Sequence, residues 1–299
     1  MILRILEVLF PVALVAGTGF ALRRFGFGGR PALQKLAIYV LGPPFIITSL
    51  ATSEARLADL GRLGAFAAAM YVALALLALA VARGLKFRRD ATVASVLALA
   101  ANNCGNYGLP IVLYGFGAAA LPIGVAFVAT HITVQVLIGL PIVSTASPKD
   151  VRLRARLGPA IPYILAAAIG LLLKGFAVQL PVLIERPLVL VGQAWVPLLL
   201  LLLGMELAEI DLRGIVGRAA LLALVKLTAP PLLALGLLTA FRFEGTWFWV
   251  LLLQASTPTA VNSLLFAREF GVRPDLVAGT LALSTIGSIA TVSILLALS

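Results

Sequence analysis

Residues 100–117 read AANNCGNYGLPIVLYGFG, and residues 252–271 read LLQASTPTAVNSLLFAREFG. Each lies within a long apolar stretch, and each sets helix-breaking residues among amides and hydroxyls. Proline removes a backbone donor and clashes with the preceding turn. Gly105 and Gly108 open backbone shapes that other residues resist. In lipid, the carbonyls and amides freed by a break need partners inside the protein. Both breaks are therefore expected to line a cavity or contact a solute. Asn102, Asn103 and Asn106 flank the first, beside Pro110; Gln254, Ser256, Thr257, Thr259 and Asn262 flank the second, around Pro258. Their side chains supply both donors and acceptors. A half-helix restarts after each break with its positive dipole end toward the centre. Two such ends meeting in mid-membrane favour an anion such as a carboxylate. Proline kinks packed for shape alone are the plain alternative.

The rest of the chain supports a membrane setting. Of 299 residues, 62% are hydrophobic and 12% charged, and the mean hydropathy is +1.10. Soluble chains carry about 25% charged residues, so this one must use lipid as part of its solvent. Ten apolar spans are expected, at 4–22, 33–53, 62–82, 91–116, 119–145, 158–176, 187–208, 214–240, 246–270 and 275–298. Residues 5–22 read as the first of these rather than a signal peptide, because Arg23 and Arg24 follow the apolar run. The net charge of +11 would suggest nucleic acid in a soluble protein. Here the basic residues sit in short loops, and nucleic acid is not an expected partner. One cysteine, Cys104, allows no disulfide within the chain and no thiol–metal cluster. No metal and no cofactor are expected.

Sixteen Lys and Arg fall in loops after odd-numbered spans, including Lys149, Arg152, Arg154 and Arg156, against six on the other side. The positive-inside rule then places the sixteen in the cytoplasm and both termini outside, in a multi-pass protein of the cell membrane.

The two halves echo one another. FPVALVAGTG at 10–19 aligns with IPYILAAAIG at 161–170, matching Pro11 with Pro162 and Gly19 with Gly170. Pro44 aligns with Pro197, Gly61 and Gly64 with Gly214 and Gly217, and Phe116-Gly117 with Phe270-Gly271, at offsets of 151–154. Five spans per half put the second copy upside down, the inverted-repeat plan of many secondary transporters. The expected organisation is a first repeat at 1–146, a basic cytoplasmic loop at 147–157 and a second, inverted repeat at 158–299.

Asn103-Cys-Gly-Asn-Tyr-Gly-Leu-Pro110 resembles the N-x-G-x-x-G-[LI]-P segment of the auxin efflux carrier family, which includes bacterial members and the plant PIN-type carriers. Thr257-Pro-Thr-Ala-Val-Asn262 with Phe270-Gly271 resembles that family's second crossover segment. The resemblance spans essentially the whole chain, without the plant carriers' long central loop. It implies an all-α fold like that of bile-acid symporters and cation/proton antiporters. Helices 1, 2, 6 and 7 would form a scaffold; helices 3–5 and 8–10 would form an elevator-like transport domain. The implied cargo is an auxin-like acid or a dicarboxylate such as malate or malonate. A homodimer through the scaffold is implied as well. Asn103, Pro110 and Pro258 inherit crossover roles by this match, whereas Asn106 occupies a variable motif position.

Three further polar residues lie within spans. Lys226, whose repeat partner is Ala73, would attract an anion or exchange a proton, or else snorkel to a headgroup. His131 is the only histidine, and Gln135 follows it by one turn on the same face. Proton coupling or substrate contact competes there with simple packing. Glu206 and Glu209 read as a solvated helix end, and Ser284 and Ser288 as a packing face. Sodium- or proton-coupled symport or antiport is the alternative transport mode. An intramembrane enzyme is disfavoured, since one histidine cannot build a metal site and no nucleophile motif frames a serine. A passive membrane scaffold would leave the two amide-lined breaks unexplained.

Overall fold

The computed structural model describes residues 2–146, 158, 160–210 and 216–299. The basic loop at 147–157, with Lys149, Arg152, Arg154 and Arg156, lies outside the described residues, as do Arg213 and Gly214. The described chain is all-helical: α1 (Ile2–Arg24), α2 (Arg30–Ala51), α3 (Leu57–Gly84), α4 (Arg89–Ala100), α5 (Leu109–Phe116), α6 (Ala118–Ser144), α7 (Ile161–Gly175), α8 (Val182–Glu209), α9 (Val216–Ala240), α10 (Gly245–Ala255), α11 (Val261–Phe270) and α12 (Pro274–Leu298).

Seven of these, α1, α2, α3, α6, α8, α9 and α12, are long and apolar enough to cross a membrane. The difference from the expected spans has a local cause. The stretches expected at 91–116 and 246–270 are each divided into two short helices by the Gly- and Pro-containing breaks. The helix expected at 158–176 is described over 15 residues. Large apolar side chains such as Leu3, Phe10, Leu165, Leu183 and Ile294 point outward, as lipid-facing helices require.

Proline also shapes the backbone within helices. Three π-helical turns, at Ala37–Leu41, Cys104–Gly108 and Gln135–Gly139, each end two residues before a proline (Pro43, Pro110, Pro141). A proline ring clashes with the carbonyl four residues back, and widening the preceding turn relieves that clash.

Glycine sets the closest crossings. α1 packs along the second half of α8, and α7 along α2. A Cβ at Gly204 would fall on the Ala16 carbonyl oxygen, and one at Gly19 on the Leu201 carbonyl oxygen. In the other pair a Cβ at Gly170 would lie 3.0 Å from the Ile47 carbonyl oxygen. Small residues permit this approach where lipid gives no hydrophobic drive for helix pairing. α9 packs on α12, and α3 on α4 and α6. The buried core runs between these groups, around Phe66, Phe127, Leu97 and Phe270.

Glu206 is not a solvated end. Its side chain is fully buried and bonds Arg30 Nη1 of α2, while Arg268 Nη1 of α11 lies 3.3 Å from its Oε1. Glu209 holds Arg23 at 2.8 Å and Arg30 at 3.2 Å. No local pattern marks this, because the arginine partners come from elements far along the chain.

Candidate functional site

The two breaks meet. Asn103 N–H donates to the Pro258 carbonyl at 2.8 Å, and Ala260 N–H donates to the Ala101 carbonyl at 3.1 Å. Asn102 and Thr259 thus form an isolated antiparallel bridge, with no strand among the described residues. Each break satisfies backbone groups that the other has freed, as a membrane interior demands.

Side chains fix the crossing. Asn102 Nδ2 donates to the Ala255 carbonyl at the end of α10 (3.1 Å), and Asn102 N–H donates to His131 Nε2 (3.0 Å). His131 is buried, stacked on Phe127 at 5.8 Å and met edge-on by Tyr71 at 5.5 Å. Lys226, also buried, donates to the Leu99 carbonyl (2.8 Å), the Ala101 carbonyl (3.3 Å) and Asn102 Oδ1. On the second break, Thr259 Oγ1 donates to the Ala98 carbonyl (2.8 Å), and Ser284 Oγ accepts from Thr259 N–H (3.2 Å). Ser284 therefore caps backbone as well as packing. Ser256 and Thr257 bond locally, to the Leu252 and Gln254 carbonyls.

A cavity of about 40 Å³ opens beside the crossing, lined by Asn102, Asn103, Cys104, Gly105, Asn106, Val128, His131, Ile132, Gln135, Tyr163, Trp195, Leu199, Ala260, Val261 and Asn262. It collects the start of the π turn leading into α5 and the N-terminus of α11. The first N–H groups of a helix have no partner within it, and they carry the positive end of its dipole. Two buried amide nitrogens of the lining, Asn103 Nδ2 and Gln135 Nε2, have no hydrogen-bond partner. An adjoining cavity of about 130 Å³ shares Ile132, Gln135, Tyr163 and Asn262 and reaches Gln34 and Glu269. Small-molecule sites usually enclose roughly 300–1,000 Å³, so an organic acid would require these walls to separate.

The residues anticipated from sequence divide into groups. Asn102, Asn103, Gly105, Asn106, His131, Gln135 and Asn262 converge on the cavity. Gly108, Pro110, Gln254, Ser256, Thr257 and Pro258 build the crossing without lining it. Gln254 is wedged between Gly108 and Gly124, where a Cβ on either glycine would strike its amide. Lys226 lies behind Asn102, bonded to the crossing rather than exposed to the cavity. Tyr163 of α7 and Trp195 of α8 complete the wall, their rings 5.7 Å apart. Neither carries a sequence signal, since an aromatic in an apolar helix looks like any core residue. No cluster of three potential metal ligands occurs among the described residues.

Residues 155–296 match the family described as "Membrane transport protein". Over 229 residues the chain is 29% identical to a Rhizobium meliloti protein named "Putative malonate transporter", covering 73% of this chain and 72% of that relative. Over 96 residues it is 36% identical to an "Uncharacterized transporter" of Methanothermobacter thermautotrophicus, covering 32% of each. With apolar helices for repeated crossing of a bilayer, the chain is a multi-pass membrane protein, and over residues 155–296 it is similar to the membrane transport protein family.

Proposed function

We propose that the chain carries a small organic anion, a dicarboxylate of malonate size or an auxin-like acid, across the cell membrane through the cavity beside the crossing. One observation carries the reading: two helix N-termini and the unpartnered amide nitrogens of Asn103 and Gln135 share one buried space. Buried donors without acceptors are rare in folded proteins, and a carboxylate supplies the acceptors they lack. The malonate named for the Rhizobium meliloti relative is of this class.

The same reading takes the chain as ten spans in two inverted repeats, 1–146 and 158–299, with both termini outside. Support comes from paired contacts. Gly19 of α1 meets Leu201 of α8, and its repeat counterpart Gly170 of α7 meets Ile47 of α2. In this scheme α1, α2, α7 and α8 form the scaffold, through which a homodimer would pair. The remaining helices move past it as an elevator. Tyr163 and Trp195 then belong to the scaffold and close the cavity from that side. Proton transfer at His131 is less favoured, because its Nε2 already accepts the Asn102 N–H.

Uptake of labelled malonate, malate and indole-3-acetate into proteoliposomes tests the proposal. At least one should accumulate above empty vesicles. Asn103→Ala and Gln135→Ala should each lower its uptake about tenfold, the equivalent of one hydrogen bond to a charged group, with unchanged melting temperature. Uptake of none of these acids would remove the substrate class; wild-type rates in both variants would move the site elsewhere.

A further inference from the structure

Lys226 is fully buried near the middle of α9, yet every partner it has is a neutral oxygen: the Leu99 and Ala101 carbonyls and Asn102 Oδ1. Three acceptors match the three N–H donors of an ammonium, whereas an uncharged amine would turn a lone pair toward one of them. Two of the acceptors are carbonyls at the end of α4, the negative end of that half-helix. The third belongs to a side chain that also bonds the Ala255 carbonyl at the end of α10. The crossing is therefore polarised. The C-terminal end of α4 faces Lys226, the end of α10 is tied to it through Asn102, and the N-terminal ends beyond the breaks converge on the cavity.

Converging backbone carbonyls are also how membrane proteins hold dehydrated alkali ions. We propose that Leu99 O, Ala101 O and Asn102 Oδ1 form a monovalent-cation site that this chain fills with its own tethered ammonium. The crossing then needs no free ion to hold its carbonyls together. The inference concerns the crossing alone and does not depend on which acid is carried.

The test compares melting temperatures of the purified full-length chain in choline, sodium, potassium and methylammonium chloride. Wild type should melt at the same temperature in all four. Lys226→Ala should melt roughly 5 °C lower in choline and recover at least half of that loss in a small cation able to enter the vacated space. Lys226→Met fills the space with an uncharged chain of similar length, so it should melt lower and recover in none. A sodium-dependent rise in wild type would overturn the proposal, because the site would not then be filled. So would a Lys226→Ala protein indifferent to every cation, or one recoverable in none of the salts. The readout is melting rather than flux, so a failure of the carboxylate reading would leave this result standing.

Discussion

The two breaks occupy corresponding places in the halves of the chain and are built from different chemistry. The first, 101–108, is dressed with amides and a buried ammonium, and it lines the cavity for most of its length. The second, 255–260, is dressed with hydroxyls that bond nearby carbonyls or, through Ser284, cap a backbone N–H; only Ala260 reaches the cavity. The contrast separates two tasks. One break presents polar atoms to the cavity, and the other holds the frame around it.

Substitutions on either side put this contrast at risk, and the largest effect belongs to the charged side. Asn102→Leu removes an acceptor from the buried Lys226 ammonium and a donor from the Ala255 carbonyl. It should cost about 3 kcal/mol, since hydrogen bonds to charged groups are the expensive ones to lose. Thermal unfolding in detergent measures it; a loss no greater than that of the hydroxyl variants would erase the distinction. Ser284→Ala leaves the Thr259 N–H buried without an acceptor and should cost about 2 kcal/mol. A wild-type melting temperature there would mean that this cap carries no weight.

Thr259→Val deletes one neutral bond to the Ala98 carbonyl at nearly constant shape, with about 1 kcal/mol expected. Here uptake is the sharper readout: transport should persist, because Thr259 does not line the cavity, and its abolition would blur the division of tasks. Smallest should be Pro110→Ala. Pro110 lies in the first turn of α5, and the widened turn before it already accommodates the ring and its missing N–H. A change of about 0.5 kcal/mol is expected, and a loss of several times that would show that the ring itself holds the break open.

Much of this was legible in the sequence because breaks in apolar helices are visible one residue at a time. The Gly and Pro positions located both interruptions, and the asparagines between them marked the cavity-facing side. What escaped notice depends on distance along the chain. Gln254 looked like a cavity amide, and only the absent side chains of Gly108 and Gly124 reveal that it is wedged between helices. Tyr163 and Trp195 reach the cavity from helices whose own pattern is uniformly apolar. Glu206, near a helix end, resembled a residue for water; its burial follows from Arg30 and Arg268, which no local pattern connects to it.

That buried carboxylate bears on how the chain is assembled. A bare charge inside a bilayer is costly, and Glu206 enters long after Arg30 in the order of synthesis. Its favourable partner is therefore already waiting when α8 arrives. The second half of the protein brings its acidic residue to a first half that already holds Arg30, and Arg268 joins the pair only when α11 follows.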